Sequence, residues 1–343
     1  NYISGAKNGL LGGGDANSIN NADYAFIGGG QDNFVISNSD YSTIIAGSGS
    51  TITESLNSTI VGGYYNITTN SSYSNIVGGS HNVLKGNSYV HVGGGQDNTM
   101  YAANHSLLGG GKDNTITAAT YSVVVGGQEN RLLSDNGSFI GGGYSNGITN
   151  MHQSFIGSGM SNRIISGGLG GKQNIIVGGL NNKIGTIYAS TYDALNFIGG
   201  GEHNIMSGST SHSNIVGGYY NTITGTSHAT IVGGYYGKIH FADKALIGGG
   251  SYNYISGSTS SSILSGEENK ITASTMSFIG SGLQNKILGG DNGSIVGGSK
   301  NTTRNSERPF IGGGQANIVV DGADNSIVGG RNGYISASTY STV

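Results

Sequence analysis

The side chains able to do chemistry in this sequence are few, and they do not converge. There is no cysteine, so the chain offers neither a thiolate nucleophile nor a thiolate metal site. The 8 histidines are scattered, and no Ser/His/Asp set or carboxylate pair recurs in a way that would mark a cleft. Gly28-Gly29-Gly30-Gln31-Asp32 and Gly93-Gly94-Gly95-Gln96-Asp97 glance at calcium-binding nonapeptide turns, but the spacing differs and Asp recurs there too rarely. The glycine-rich stretches lack the following helix that a phosphate loop needs. Binding chemistry has better candidates. Tyr64-Tyr65, Tyr219-Tyr220, Tyr235-Tyr236 and Tyr252 fall at one recurring position, where tyrosine columns either hold sugar rings or pack on one another. Tyr188 and Tyr192, in an insertion, complete the candidate ligand-binding set. The sequence predicts no enzyme, no cofactor and no metal.

The bulk numbers narrow the class. Of 343 residues 66 are Gly and 1 is Pro, without the Gly-X-Y period of collagen. Glycine- and serine-rich tracts often mean disorder, but Ile and Val recur here at fixed places and can build a core. A net charge of −3 removes the electrostatic case for a nucleic-acid partner. No run is long and apolar enough to span a bilayer as a helix, so no membrane insertion is expected. The chain starts at Asn1 without a Met or a signal peptide, which suggests a mature chain or a segment of a longer fibre.

Positioning must come from the repeat. Asn17, Asn33, Asn66, Asn82, Asn98, Asn114, Asn130, Asn146 and Asn162 anchor a unit of about 16 residues, which resumes from Asn204 to position 333. The unit reads Ser-x-Ile-Val/Gly-Gly-Gly-x-x-Asn-x-Ile followed by a polar stretch. Its two Ile positions, such as Ile44 and Ile52 or Ile263 and Ile271, lie half a period apart, so each coil reads as two short strands and two turns. Neither strand can bury its Ile alone; stacking coils about 4.8 Å apart buries them as ladders. The predicted fold is therefore all-β, a parallel two-strand β-solenoid of about 22 coils, roughly 100 Å long by that spacing. It reads as one continuous repeat domain over 1–343, with a register irregularity at 163–203. The Gly ending the first strand (Gly14, Gly30, Gly47, Gly63, Gly79, Gly95 and on to Gly330) argues for positive φ or close backbone approach. For the anchor Asn two readings stand: a buried amide ladder, or mere tolerance of a left-handed turn.

A second apolar row flanks the first Ile. Phe26/Gly28, Leu107/Gly109, Phe139/Gly141, Phe155/Gly157, Phe197/Gly199, Leu246/Gly248, Phe278/Gly280 and Phe310/Gly312 pair bulk with none. Thr59/Val61, Asn75/Val77, Asn214/Val216, Thr230/Val232, Ser294/Val296 and Ser326/Val328 reverse the order, and His91/Gly93 and Val123/Val125 are looser cases. Such exchange of volume belongs to a packed interior. These positions point opposite to the Ile, and a coil this short has no further element to cover them. The sequence therefore predicts a homotrimer whose three rows share one core, in which Gly141→Phe would overfill the layer of Phe139.

The Ser-x-Ile-Val-Gly core and Asn-x-Ile return resemble the head repeats of trimeric autotransporter adhesins, the YadA-like β-roll, and the Gly/Asn-rich repeats of bacteriophage tail fibres. The likeness covers essentially the whole chain, with a longer period, a Gly-Gly pair and an Asn anchor as departures. It implies a trimeric extracellular fibre or adhesin, at a cell or virion surface, whose partners are itself and a host or neighbouring cell surface, glycans included. A self-polymerising surface filament, adding end to end, is the alternative, and an ice-binding solenoid a weaker one. Between Asn162 and Asn204 the stretch 168–174 reads as losing a turn, Asn174–Gly179 as fusing two half-repeats, and 185–194 as an insertion. That insertion is either a receptor-touching loop or, the favoured structural reading, a kink or change of cross-section.

Overall fold

The computed structural model describes residues 1–167, 171–186 and 195–343. It is an all-β, parallel, two-sheet solenoid of about 20 coils in two compact units, Asn1–Asn162 and Arg163–Val343. In the first unit each coil contributes a two-residue strand such as Thr59–Ile60 to one sheet and a three-residue strand such as Thr51–Thr53 to the other. Neighbouring strands are parallel and in register by one repeat: Ile44 pairs with Ile60, and Ile52 with Thr68. The second unit repeats this plan, and its last three long-sheet strands, Thr302–Glu307, Ile318–Ala323 and Tyr334–Thr339, lengthen to 6 residues.

Fewer coils form than the sequence suggests, because the irregular stretch lengthens coils instead of adding them. Arg163 pairs with Lys183, and Lys183 with Ile205, so both of these coils exceed the regular repeat. Asn182 keeps the anchor role, its side-chain oxygen accepting from the Asn204 N–H at 3.0 Å. Ile176 is fully buried in its short strand, so the expected fusion of half-repeats does not occur. The core of the expected insertion, 187–194, and the start of the expected lost turn, 168–170, lie outside the described residues.

Two Ile ladders fill the interior, and polar ladders close its ends. Asn66 Nδ2 donates to the Gly62 and Gly79 carbonyls (2.9 and 3.0 Å), and its Oδ1 accepts from the Asn82 N–H at 3.0 Å. The same set recurs at Asn98, Asn114 and Asn146. The ladder reading of the Asn holds, and the left-handed residue is the one before it, as at Tyr65, His81, Asp97 and Asp113. At the other turn the Ser of Ser-x-Ile forms a second ladder. Ser58 Oγ donates to the Ser71 carbonyl (2.7 Å), and the Ser58 N–H donates to Ser42 Oγ (3.1 Å). A third runs through Ser39, Ser55, Ser71 and Asn87. In each, one coil's side chain pairs backbone groups of the next, so no coil alone satisfies its buried polar groups.

The Ile ladders contain faults. Thr68 replaces Ile, is fully buried, and its hydroxyl finds no partner. Thr68→Val, which keeps the shape and removes the hydroxyl, should stabilise the first unit by about 1 kcal/mol. A chemical denaturation midpoint that stays put would show the hydroxyl to be hydrated.

The ladder glycines are explained by the next coil. Gly79 has φ +85°, and a Cβ there would lie 2.0 Å from the Gly95 carbonyl oxygen. Its neighbour Gly78 faces open space, which is why Ala46, Ser158, Ser265 and Ser281 can stand at that position elsewhere.

Candidate binding surfaces

Three surfaces could meet a partner. On the first, the outer row of the short-strand sheet, side chains alternate with the buried Ile and point outward. Val61, Val77, Val216, Val232, Val296 and Val328 are all exposed, Val216 at 50% and Val328 at 67%. Leu107, Phe155 and Phe310 are likewise exposed, and Phe26, Phe139, Phe197, Leu246 and Phe278 half-buried. Phe139 and Phe155 stack at 5.3 Å. These residues flank the buried Ile on either side and give each unit an apolar stripe, broken in the first unit at His91/Gly93.

The exchange of volume along this row has a cause inside each chain. A Cβ at Gly28 would sit 2.5 Å from the Ile45 carbonyl oxygen and 3.2 Å from Phe26 Cε1. Gly141 likewise faces the Gly157 oxygen at 2.3 Å and the Phe139 ring at 3.3 Å. The ring leans over its own coil's glycine, and that glycine is required by the neighbouring coil's backbone. Gly141→Phe would thus clash within a single chain and says nothing about a shared core.

The second surface is the turn after the glycine pair. His203, Tyr220, Tyr236 and Tyr252 stack in one column at 4.5, 4.9 and 5.3 Å. Tyr219 and Tyr235 form a parallel column at 5.4 Å, each meeting its neighbour Tyr220 or Tyr236 edge-on at 4.5 Å. In the first unit Tyr65 stacks on His81 at 5.7 Å, with Tyr64 edge-on to Tyr65 at 4.3 Å. Partial burial, then the neighbouring phenols, pushes the Tyr236 hydroxyl above the usual phenol range; for Tyr219 the Glu202 carboxylate adds to burial. These phenols stay neutral. Stacking covers the ring faces along the axis, so edges and hydroxyls meet solvent, whereas a sugar ring stacks on a face. Tyr188 and Tyr192 lie outside the described residues.

A third aromatic column sits at the opposite turn. Tyr73, Tyr89, His105 and Tyr121 stack at 4.8, 5.0 and 5.0 Å, and Tyr24 stacks on Tyr41 at 4.9 Å. Sequence reasoning missed this column, although positions 73, 89, 105 and 121 follow one another at the repeat spacing. Each of these six residues carries positive φ, Tyr89 at 57° for example. A bulky residue is strained there by about 1–2 kcal/mol, which stacking of about 0.5–1.5 kcal/mol partly offsets.

Carboxylates at this turn serve the fold. Asp40 Oδ1 accepts from the Asp23 N–H and Asp23 Oδ1 from the Lys7 N–H, both at 2.7 Å. The Thr-x-Thr arrays an ice-binding face would need occur at Thr51–Thr53, Thr115–Thr117 and Thr222–Thr224, which are not neighbours in the stack. Neither family models nor curated proteins yield a match to this sequence.

Proposed function

We propose that this chain is a non-catalytic segment of an extracellular fibre, a trimeric shaft or adhesive head of the YadA-like or tail-fibre kind. The observation that carries this reading is the outer row of the short-strand sheet. A stripe of exposed and half-buried Val, Ile, Leu and Phe that recurs over most coils of each unit exceeds what a monomer ordinarily leaves in water. A second copy of the same chain supplies a matching stripe, and closure around a three-fold axis covers all three rows at once. The repeat pattern that resembles trimeric adhesin heads supports the same arrangement. In this assembly the long-strand sheet remains outside as a contact surface toward another cell or its glycans, and the stacked tyrosine columns present only ring edges and hydroxyls.

The test is the solution mass by light scattering. A mass three times that of the chain is expected, falling to that of a single chain when Val216→Glu and Val232→Glu place carboxylates in the row. A wild-type mass equal to one chain would remove the shared core and the fibre assembly with it.

A further inference from the structure

The outward face of the long-strand sheet in the second unit concentrates basic side chains on successive strands. Thr222, Lys238, Tyr254, Lys270, Lys286 and Thr302 occupy one row of directly paired positions on successive strands. The companion row two residues on adds His240 and Arg304. Neither row holds an Asp or Glu across these six coils. Lys270 and Lys286 stand directly opposite each other, a like-charge pairing that destabilises a sheet. Among the described residues no carboxylate lies within ion-pair distance of Lys238, Lys270 or Lys286. Glu267 and Glu268 sit at the edge of the face, and Glu268 is engaged by Gln284 Nε2 at 2.7 Å. Tyr254 lies among the lysines, with Lys270 Nζ 5.5 Å from its ring centroid. Lys238 and Lys286 are exposed, and Tyr254 and Lys270 half-exposed.

Uncompensated like charges on one sheet face, interrupted by an aromatic ring, mark a surface shaped by something other than stability. We propose that this row binds a linear acidic polysaccharide laid along the coil axis, its carboxylates or sulfates on Lys238, Lys270 and Lys286 and a sugar ring over Tyr254. Strand spacing puts these cations about 5 to 10 Å apart along the axis. Duplex DNA carries a charge about every 1.7 Å and rewards a denser array. A polysaccharide with charges separated by sugar rings matches the sparse row, and the pyranose C–H faces match the ring. The site lies on the sheet opposite the apolar row, so it does not depend on the oligomeric state.

The experiment measures binding of the full chain to immobilised hyaluronate and heparin, with dextran and duplex DNA as controls, across a salt series. Retention on at least one acidic polysaccharide is expected, none on dextran, and less on DNA. Lys238→Gln, Lys270→Gln and Lys286→Gln together should weaken polysaccharide binding tenfold or more, while Lys7→Gln, Lys85→Gln and Lys112→Gln together change it less than twofold. Tyr254→Leu should weaken polysaccharide binding several-fold and leave residual DNA binding unchanged. The three Lys→Arg replacements should retain binding, which separates loss of charge from loss of fold, and the Gln triple should melt no lower than wild type. Equal losses in the two Gln triples, tighter binding to DNA, or no retention on either polysaccharide would overturn the proposal. None of these outcomes bears on the light-scattering mass.

Discussion

Gly79→Ala should destabilise the coils around it by about 3 kcal/mol or more, while Gly78→Ala one residue away should change stability by less than about 0.5 kcal/mol. The two glycines are adjacent in sequence and both lie outside regular strand. The difference is where a methyl group would go. At Gly79 it would overlap the Gly95 oxygen and approach the Gly95 nitrogen at 2.7 Å, and the φ of +85° adds the strain of a left-handed alanine. At Gly78 nothing lies within 4 Å. Because repeat proteins unfold in segments, the measurement is hydrogen exchange of the amides in the flanking coils, alongside denaturant midpoints. Equal protection in the two variants would mean that the stack relaxes around the methyl and that the glycine column has another cause.

Raising the pH from 4 to 8 should destabilise the first unit, and Asp135→Asn should abolish that dependence. Asp135 occupies the third polar ladder, 3% exposed, between the coils of Ala119 and Met151. Its carboxylate accepts from the Leu133 N–H (3.0 Å) and the Met151 N–H (2.8 Å), but burial outweighs both bonds and pushes its pKa up to about 7. The unfolded chain releases this proton near pH 4, so between roughly pH 4 and 7 the folded state holds a proton that the unfolded state has lost. Stability is therefore highest below that window, falls as pH rises through it, and is level above. About 3 pH units correspond to an upper bound of about 4 kcal/mol. Asn87, three coils earlier in the same ladder, shows what the amide can do there: its Nδ2 donates to the Met100 carbonyl at 2.9 Å and its Oδ1 accepts from the Ala103 N–H. Asp135→Asn should thus be more stable than wild type at pH 8 and equal to it near pH 4. Asp291 and Asp324, whose pKa values are held low by Thr275 and by Arg308, act in the opposite sense below about pH 4 and in the other unit. A wild-type profile flat from pH 4 to 8 would sink the prediction.

Much of this architecture was legible because the repeat reports each position some twenty times. The half-period spacing of Ile44 and Ile52 implied two strands per coil, and their burial confirms it. The glycine column argued for positive φ or close backbone approach, and Gly63 shows both, with φ 98° and a Cβ position 2.0 Å from the Gly79 oxygen. Sequence could not decide between the two roles of Asn, because an amide suits a left-handed turn and a buried ladder equally well. Only the folded chain shows that Tyr65 takes the turn and Asn66 the hydrogen bonds. The Ser ladder escaped notice because Ser before a strand reads as turn punctuation, although Ser58 is fully buried. The Phe/Gly exchange was read as packing between chains, whereas Phe139 and Gly141 already answer to each other and to Gly157 within one chain. The lysine row was hidden by the near-zero net charge, an average over faces that the fold separates.

The amides and hydroxyls that build the polar ladders bond along the stack, to the coil before or after, as Asn66 and Ser58 do. Removing or duplicating one whole coil therefore rejoins equivalent donors to equivalent acceptors, whereas removing a fraction of a coil leaves them mismatched. Length is then variable in steps of one repeat, each step leaving the ladder bonds matched. The two overlong coils keep their strands in register, Arg163 against Lys183 and Lys183 against Ile205.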